Sequence, residues 1–311
     1  MGYIISTVNM KGGVGKTTLT VNLAACLAKY HDKRVLIVDL DTQISATLSM
    51  MSPSDFAKLR REKRTLRQLV TETINPRVKA AFPIQEIIIP YACNLPKLHL
   101  LPGDIDMYDE FSVSEMLYEK AVHQERAPFE TVWNKFERVL ISSILAPIIN
   151  DYDYIVLDCA PGYNLLTRSA LTASDFYLLP ARPEPLSLIG IQLLERRLVK
   201  LKEVHQYENP VNIEMLGIVF TMAGGFLGRY YRQVMNRVRA DYSEAKLFTT
   251  RIPSDVNVSK SVDSFLPVIL AHPNSRGSKA FQKLADELLS KLNTTISRRN
   301  QRSQVKMSDL D

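Results

Sequence analysis

The sequence predicts an α/β fold: a doubly wound, mostly parallel sheet with helices on both faces. Three observations carry that prediction. Short β-branched apolar runs alternate with helical patterns through most of the 311 residues. The runs are almost continuously apolar, as parallel strands buried on both faces are. A glycine-rich string, KGGVGKTT at residues 11 to 18, stands between the first run and the first helical pattern.

The elements follow in order. YIISTV (3–8), the helical KTTLTVNLAACLAKYH and RVLIVDLD form a βαβ unit, with Leu19, Leu23, Cys26 and Leu27 on one helix face. LHLLPG (98–103), YIVLDCA (154–160), FYLLPARP (176–183), EMLGIVFTM (214–222) and LFTTRIP (247–253) are read as further strands. LIGIQLLERRLVKLKEV (188–204) and SKAFQKLADELLSKL (278–292) are read as helices. A helix can also start at SPSDFAKLRREKRTLRQLV, where Lys58, Arg60, Arg61, Lys63, Arg64 and Arg67 make a basic face. PFETVWNKFERVLISSILAPII (128–149) has Pro128 in its first turn and one broad apolar face. The expected organisation is one domain over 1–293, with insertions near 51–80 and 118–149, followed by a polar, mobile tail at 294–311.

Composition narrows the class. Hydrophobic residues at 46% and charged residues at 23% are ordinary for a globular chain, and no apolar run is long enough to span a bilayer, so a cytoplasmic protein is expected. Cys26, Cys93 and Cys159 lack CxxC spacing, which argues against a disulfide framework or a zinc site. The net charge of +6 suits a polyanionic partner, but it is modest, so the placement of the cations matters more than their sum.

The string at 11–18 has the chemistry of a phosphate cradle. Gly12, Gly13 and Gly15 let backbone N–H groups curl around phosphate oxygens, and the following helix presents its positive dipole end. Val14 and Thr18 complete the cradle, Lys16 supplies charge to β and γ phosphates, and Thr17 offers a hydroxyl to Mg²⁺. Met10 stands where the pattern GxxxxGK, followed by Ser or Thr, has its first glycine. VDLDTQ (38–43) and IVLDCAPG (155–162) follow, placing Asp39, Asp41 and Asp158 at strand ends where carboxylates hold Mg²⁺ or its waters and approach a γ-phosphate.

Together KGGVGKTT, VDLDTQ and IVLDCAPG resemble the deviant Walker-box P-loop ATPases typified by ParA, Soj and MinD. LLTRSALTASDFYLLPARPEPLSLIGIQLL, RIPSDVNVSKS and PNSRGSKAFQKLADEL extend the resemblance from residue 2 to about 293. NMKGGVGKTT and DTQISATLS lean toward the McdA branch, which distributes carboxysomes.

The resemblance explains why the loop has two lysines. It implies an ATP-dependent homodimer in which Lys11 reaches the partner's phosphates while Lys16 serves its own nucleotide. It further implies that Asp41 orients the attacking water, that Thr17 and Asp39 support Mg²⁺, and that Asp158 is the Walker B carboxylate. Thr221, Pro253 and the backbone at Asp255 would border the base. Thr42 departs from the proline usual in DxDPQ.

The resemblance also implies a slow ATPase whose ATP dimer binds nucleoid DNA without sequence preference. A cargo adaptor would stimulate hydrolysis, and the cargo would be a plasmid, a chromosome or a protein assembly. Arg229, Arg232, Arg237, Arg239, Arg251 and Lys260 are the candidate phosphate contacts. Two other roles fit the sequence less well. A MinD-like membrane role needs an amphipathic C-terminal helix, but Ile296, Val305, Met307 and Leu310 make no periodic stripe, so no membrane partner is expected. A metabolic P-loop enzyme of the same fold fits the C-terminal half poorly.

Overall fold

The computed structural model describes residues 2–207, 210–222 and 228–308, with the side chains at 228–232, 235 and 302–308 outside that description. Among the described residues six strands form one sheet: β1 (Tyr3–Thr7), β2 (Val35–Asp39), β3 (Leu98–Leu101), β4 (Tyr154–Asp158), β5 (Phe176–Ala181) and β6 (Glu214–Phe220). Their order is β3-β2-β4-β1-β5-β6, and every pairing is parallel. The doubly wound sheet is therefore as expected.

The first half of the chain carries helices α1 (Lys16–Tyr30), α2 (Ser45–Leu48), α3 (Pro53–Arg61), α4 (Leu66–Ile74), α5 (Ile84–Ile87), α6 (Glu110–Glu119) and α7 (Phe129–Leu145). The second half carries α8 (Leu165–Ala173), α9 (Pro185–Val204), α10 (Gly228–Asp241), α11 (Val256–Lys260), α12 (Val268–Ala271) and α13 (Arg276–Ser308). Side chains alternate between the two faces of each strand. Ile4, Leu36 and Val38 pack with residues of α4, α7, α8 and α9. Ile5, Val35 and Ile37 pack with α1, α12 and α13 on the opposite face. Two apolar layers thus clamp the sheet, which is why its strands read as unbroken hydrophobic runs.

Chain order sets the site. From β1 the chain passes through α1 to β2, leaving a place that β4 later fills, and β5 and β6 continue on the other side of β1. In this register Thr7 lies beside Asp158, and Asp158 beside Asp39. The carboxyl ends of three neighbouring strands consequently meet the glycine loop, where open α/β sheets bind ligands.

Three elements differ from their sequence expectation. LFTTRIP is not a strand: Leu247 makes a single bridge to Ile218, and the Ile252 N–H donates to the Phe220 carbonyl. Between them the Thr249 and Thr250 amides donate to the Glu287 carboxylate of α13, at 2.7 and 2.9 Å, so they are drawn away from the sheet edge. The basic stretch at 53–70 is two helices, α3 and α4, because the backbone turns left-handed at Lys63, with φ 58°. The expected tail is part of α13, which continues to Ser308. Ile296 packs against the core, and Arg299 reaches Glu214 and the carbonyls of Asp175 and Asn212.

Candidate nucleotide site

Gly15 closes the loop before α1 with φ 85°, a backbone conformation that costs a side-chain residue about 1 kcal/mol or more. Asn9 braces the loop from below. Its Oδ1 accepts the Lys11 N–H at 2.9 Å, and its Nδ2 donates to the Pro180 carbonyl at 2.8 Å. The two lysines then diverge. Lys16 turns inward, buried, with Nζ donating to the Lys11 carbonyl at 3.0 Å. Lys11 swings outward to an ion pair with Glu184, immediately before α9. One ammonium therefore occupies the cradle, while the other lies at the surface with about a third of its side chain exposed, 34%.

The carboxylates occupy the strand ends as the motifs require. Asp158 accepts from Thr17 Oγ1 at 2.7 Å and from Thr20 Oγ1 at 3.1 Å. Asp39 accepts from the Thr47 N–H and Oγ1, both at 2.8 Å, and from the Asp41 N–H at 3.2 Å. Asp41, also buried, accepts the Gln43 N–H at 3.0 Å in the turn that contains exposed Thr42.

Burial raises the pKa of Asp158, as does the charge of neighbouring Asp39. Burial also raises Asp39, against the hydrogen bonds from Thr47 and Asp41 and with the charge of Asp41. Lys16 is lowered by burial, with Asp158, Cys159 and Asp41 opposing. Two buried carboxylates that repel each other, beside a threonine hydroxyl, form an all-oxygen set suited to a hard cation. Among the described residues, no group of three or more His, Cys, Asp and Glu converges into a protein-only metal cage. The oxygen donors of Asp39, Asp158 and Thr17 fit Mg²⁺, which keeps waters and takes ligand phosphates alongside one or two protein oxygens.

A cavity of about 480 Å³ opens beside the loop, walled by Gly15, Thr18, Leu19, Thr221, Met222, Ile252, Pro253 and Asp255, among others. Thr221 Oγ1 donates to the Val14 carbonyl at 2.7 Å, joining this wall to the glycine loop. Asp255 caps α11 and accepts the Gly277 N–H at 2.8 Å, which leaves backbone and apolar surface to face a planar ligand. The structure brings Thr221, Pro253 and Asp255 together at one cavity next to Gly12, Gly13, Val14, Gly15, Lys16, Thr17 and Thr18.

The basic residues lie apart from this centre. Arg237 and Arg239 are exposed on α10, with Arg237 3.8 Å from Asp241. Arg251 and Lys260 are exposed on the segments flanking the cavity wall. Arg229 and Arg232 fall on α10, but their side chains lie outside the described residues. Part of the cluster at 58–67 is engaged within the fold. Arg60 pairs with Asp104 and Asp106, Arg67 with Asp106, and Arg64 donates to the Glu86 carbonyl.

Four supporting residues escaped the sequence reading: Asn9, Thr20, Thr47 and Glu184. Thr20 alone had a signal, because it follows Thr17 by three positions and shares its helix face.

Residues 2–213 match the family described as an AAA domain. The sporulation initiation inhibitor protein Soj of Bacillus subtilis is 33% identical over 292 residues, covering 93% of this chain and 98% of that protein. The chromosome partitioning protein ParA of Myxococcus xanthus is 31% identical, with 93% and 88% covered. Among solved structures, the cell division ATPase MinD of Pyrococcus furiosus superposes with a TM-score of 0.63 at 24% identity, covering 93% of this chain and 99% of its own. The ATP complex of a McdA variant from Cyanothece gives 0.68 at 16% identity, with 93% and 96% covered. The two structural matches establish the fold.

Proposed function

This chain belongs to the family of ParA- and Soj-type partitioning ATPases, and on that premise we propose that it is an ATP-switched dimer that binds DNA without sequence preference and positions a cargo through an adaptor. The family hydrolyses ATP, and the all-oxygen site is consistent with ATP and Mg²⁺ as its ligands. The carrying observation is the divergence of the two loop lysines: Lys16 is committed to the cradle, and Lys11 is held at the surface beside α9.

In this reading the backbone of Gly12–Thr18 and the Lys16 ammonium hold the β and γ phosphates. The planar base lies in the cavity bordered by Thr221, Pro253 and the Asp255 backbone. Thr17, Asp39 and Asp158 hold Mg²⁺, which when bound neutralises phosphate charge and orders water. Asp41 orients a water for attack on the γ-phosphorus. The bond from that phosphorus to the β-γ bridging oxygen breaks, leaving ADP and phosphate. Lys11 crosses to the second subunit's phosphates, so it stabilises transition-state charge only in the dimer. Basal turnover is accordingly slow, and the adaptor accelerates it.

Exposed Arg237, Arg239, Arg251 and Lys260 support the DNA role, with Arg229 and Arg232 as further candidates. Among the described residues no helix is long and apolar enough to cross a membrane. The cargo is a plasmid, a chromosome or a protein assembly such as a carboxysome, and the site of action is the nucleoid.

The test is binding to unrelated duplex DNA with no nucleotide, ADP or ATP across a salt series. Binding that needs ATP, ignores sequence and weakens steeply with salt is expected. Salt-insensitive binding, or none with ATP, overturns the DNA role.

A further inference from the structure

Asp39 is completely buried, and its two oxygens are treated differently by the fold. Oδ2 takes both the amide and the hydroxyl of Thr47 at 2.8 Å, while Oδ1 takes only the Asp41 N–H at 3.2 Å. Thr47 Oγ1 has one proton, and the Gly103 N–H, 3.0 Å away, can only donate to it. The direction of the hydroxyl is therefore fixed: it accepts from Gly103 and donates to Asp39. Oδ1 is left as the less engaged oxygen.

Gly103 is itself fixed. A Cβ there would stand 2.8 Å from the Asp39 carbonyl and 3.2 Å from its carboxyl carbon, so the loop after β3 approaches Asp39 as only glycine allows. The next residue, Asp104, is buried and accepts from Thr65 Oγ1 at 2.7 Å and Arg60 Nε at 3.3 Å. The Leu66 N–H donates to the Pro102 carbonyl at 2.9 Å. Arg60, from the basic face of α3, thus helps to staple the 102–104 loop against α3 and α4.

We propose that Thr47 is a positioning residue that aims Asp39 at the Mg²⁺–phosphate site, with Gly103 and the Arg60–Asp104–Thr65 staple holding Thr47 in place. The proposal rests on the ATPase reading above. Thr47 is buried behind Asp39 and is not among the residues that line the cavity beside the glycine loop. Its hydroxyl holds Oδ2 and so presents Oδ1 to the cation or its water; without it the carboxylate rotates and the Gly103 amide loses its buried partner.

The test uses the full chain as wild type, Thr47→Val and Thr47→Ser, reading binding of fluorescent ADP in EDTA and across a Mg²⁺ titration. In EDTA all three should bind ADP within about two-fold, because a positioning role acts only through the cation. With Mg²⁺, Thr47→Val should need about ten-fold more cation for half-maximal effect, and Thr47→Ser should return to within about two- to three-fold of wild type, as loss and retention of a charge-assisted hydrogen bond require. Should Thr47→Val fail to fold, Asp104→Asn, remote from the nucleotide, carries the test and should shift the requirement in the same direction.

An unchanged Mg²⁺ requirement, an equal loss of ADP affinity in EDTA, or failure of serine to rescue would each overturn the proposal. A wild type that binds no ADP in any condition would instead overturn the ATPase reading on which it rests.

Discussion

Two lysines five positions apart have different surroundings, and the division of labour proposed for them follows from that difference. Lys16 lies buried among Asp41, Asp158 and the loop carbonyls, whereas Lys11 is paired with Glu184 at the surface. Lys16→Ala should remove ADP and ATP binding by both equilibrium dialysis and fluorescence. Lys11→Ala should leave monomer binding within a few-fold of wild type while lowering kcat by about a hundred-fold or more, the scale of a lost transition-state cation. Equal loss of binding in the two variants would remove the division of labour. Asp41→Asn should bind ATP and associate but lose about two to four powers of ten in kcat, as loss of a water-orienting base does. The positions of these residues at the site were legible because each belongs to a contiguous motif. The partners that hold them were not: Asn9–Pro180, Lys11–Glu184 and Gly103–Thr47 join residues 171, 173 and 56 positions apart. No local spacing encodes such contacts.

At the scale of elements, every strand of the sheet was readable as an apolar run, because burial on both faces leaves no other composition open to it. The exception, LFTTRIP, has the same β-branched composition, yet only its ends bond to β6, through the Phe248 and Ile252 amides, while the Thr249 and Thr250 amides between them go to a carboxylate. Its fate depends on Glu287, which α13 brings alongside. The break between α3 and α4 was equally hidden, since a left-handed residue is signalled by Gly or Asn, and here it is Lys63.

Glu287 supports one wall of the cavity beside the glycine loop, because 247–253 leads into Ile252 and Pro253. Burial raises its pKa, but donors from Thr249 and Thr250 outweigh that and hold it below its ordinary value. A carboxylate held low contributes stability above its unfolded pKa, near 4.3, and loses it as pH falls through the lower folded value. Glu287→Gln should cost about 1 kcal/mol in denaturant melts at pH 7. The difference should shrink below about pH 4, where wild type also loses its charge. A gap that is constant with pH would show that the carboxylate's charge is not what holds the segment.

For the whole molecule, the sheet order puts three strand ends and one loop at a single crevice, so ligand binding and folding are coupled. ADP with Mg²⁺ at about a hundred times its dissociation constant should add about 2.7 kcal/mol to stability, seen as a higher melting temperature. EDTA should remove much of that gain, because Asp39 and Asp158 are buried, repel each other and lie beside Thr17. No change with EDTA would place the cation elsewhere.

Whether hydrolysis is shared between subunits can be read directly by mixing two inactive variants, Lys11→Ala and Asp41→Asn, and measuring phosphate release. In a mixed dimer the Lys11→Ala subunit keeps its own Asp41 and can receive the intact Lys11 of its companion, so one of its two sites is complete. Activity well above the sum of the separate variants, rising with the mixing ratio toward equal amounts, is the predicted result. Mixed dimers that form with ATP yet hydrolyse no faster than that sum would show that Lys11 does not act across the interface.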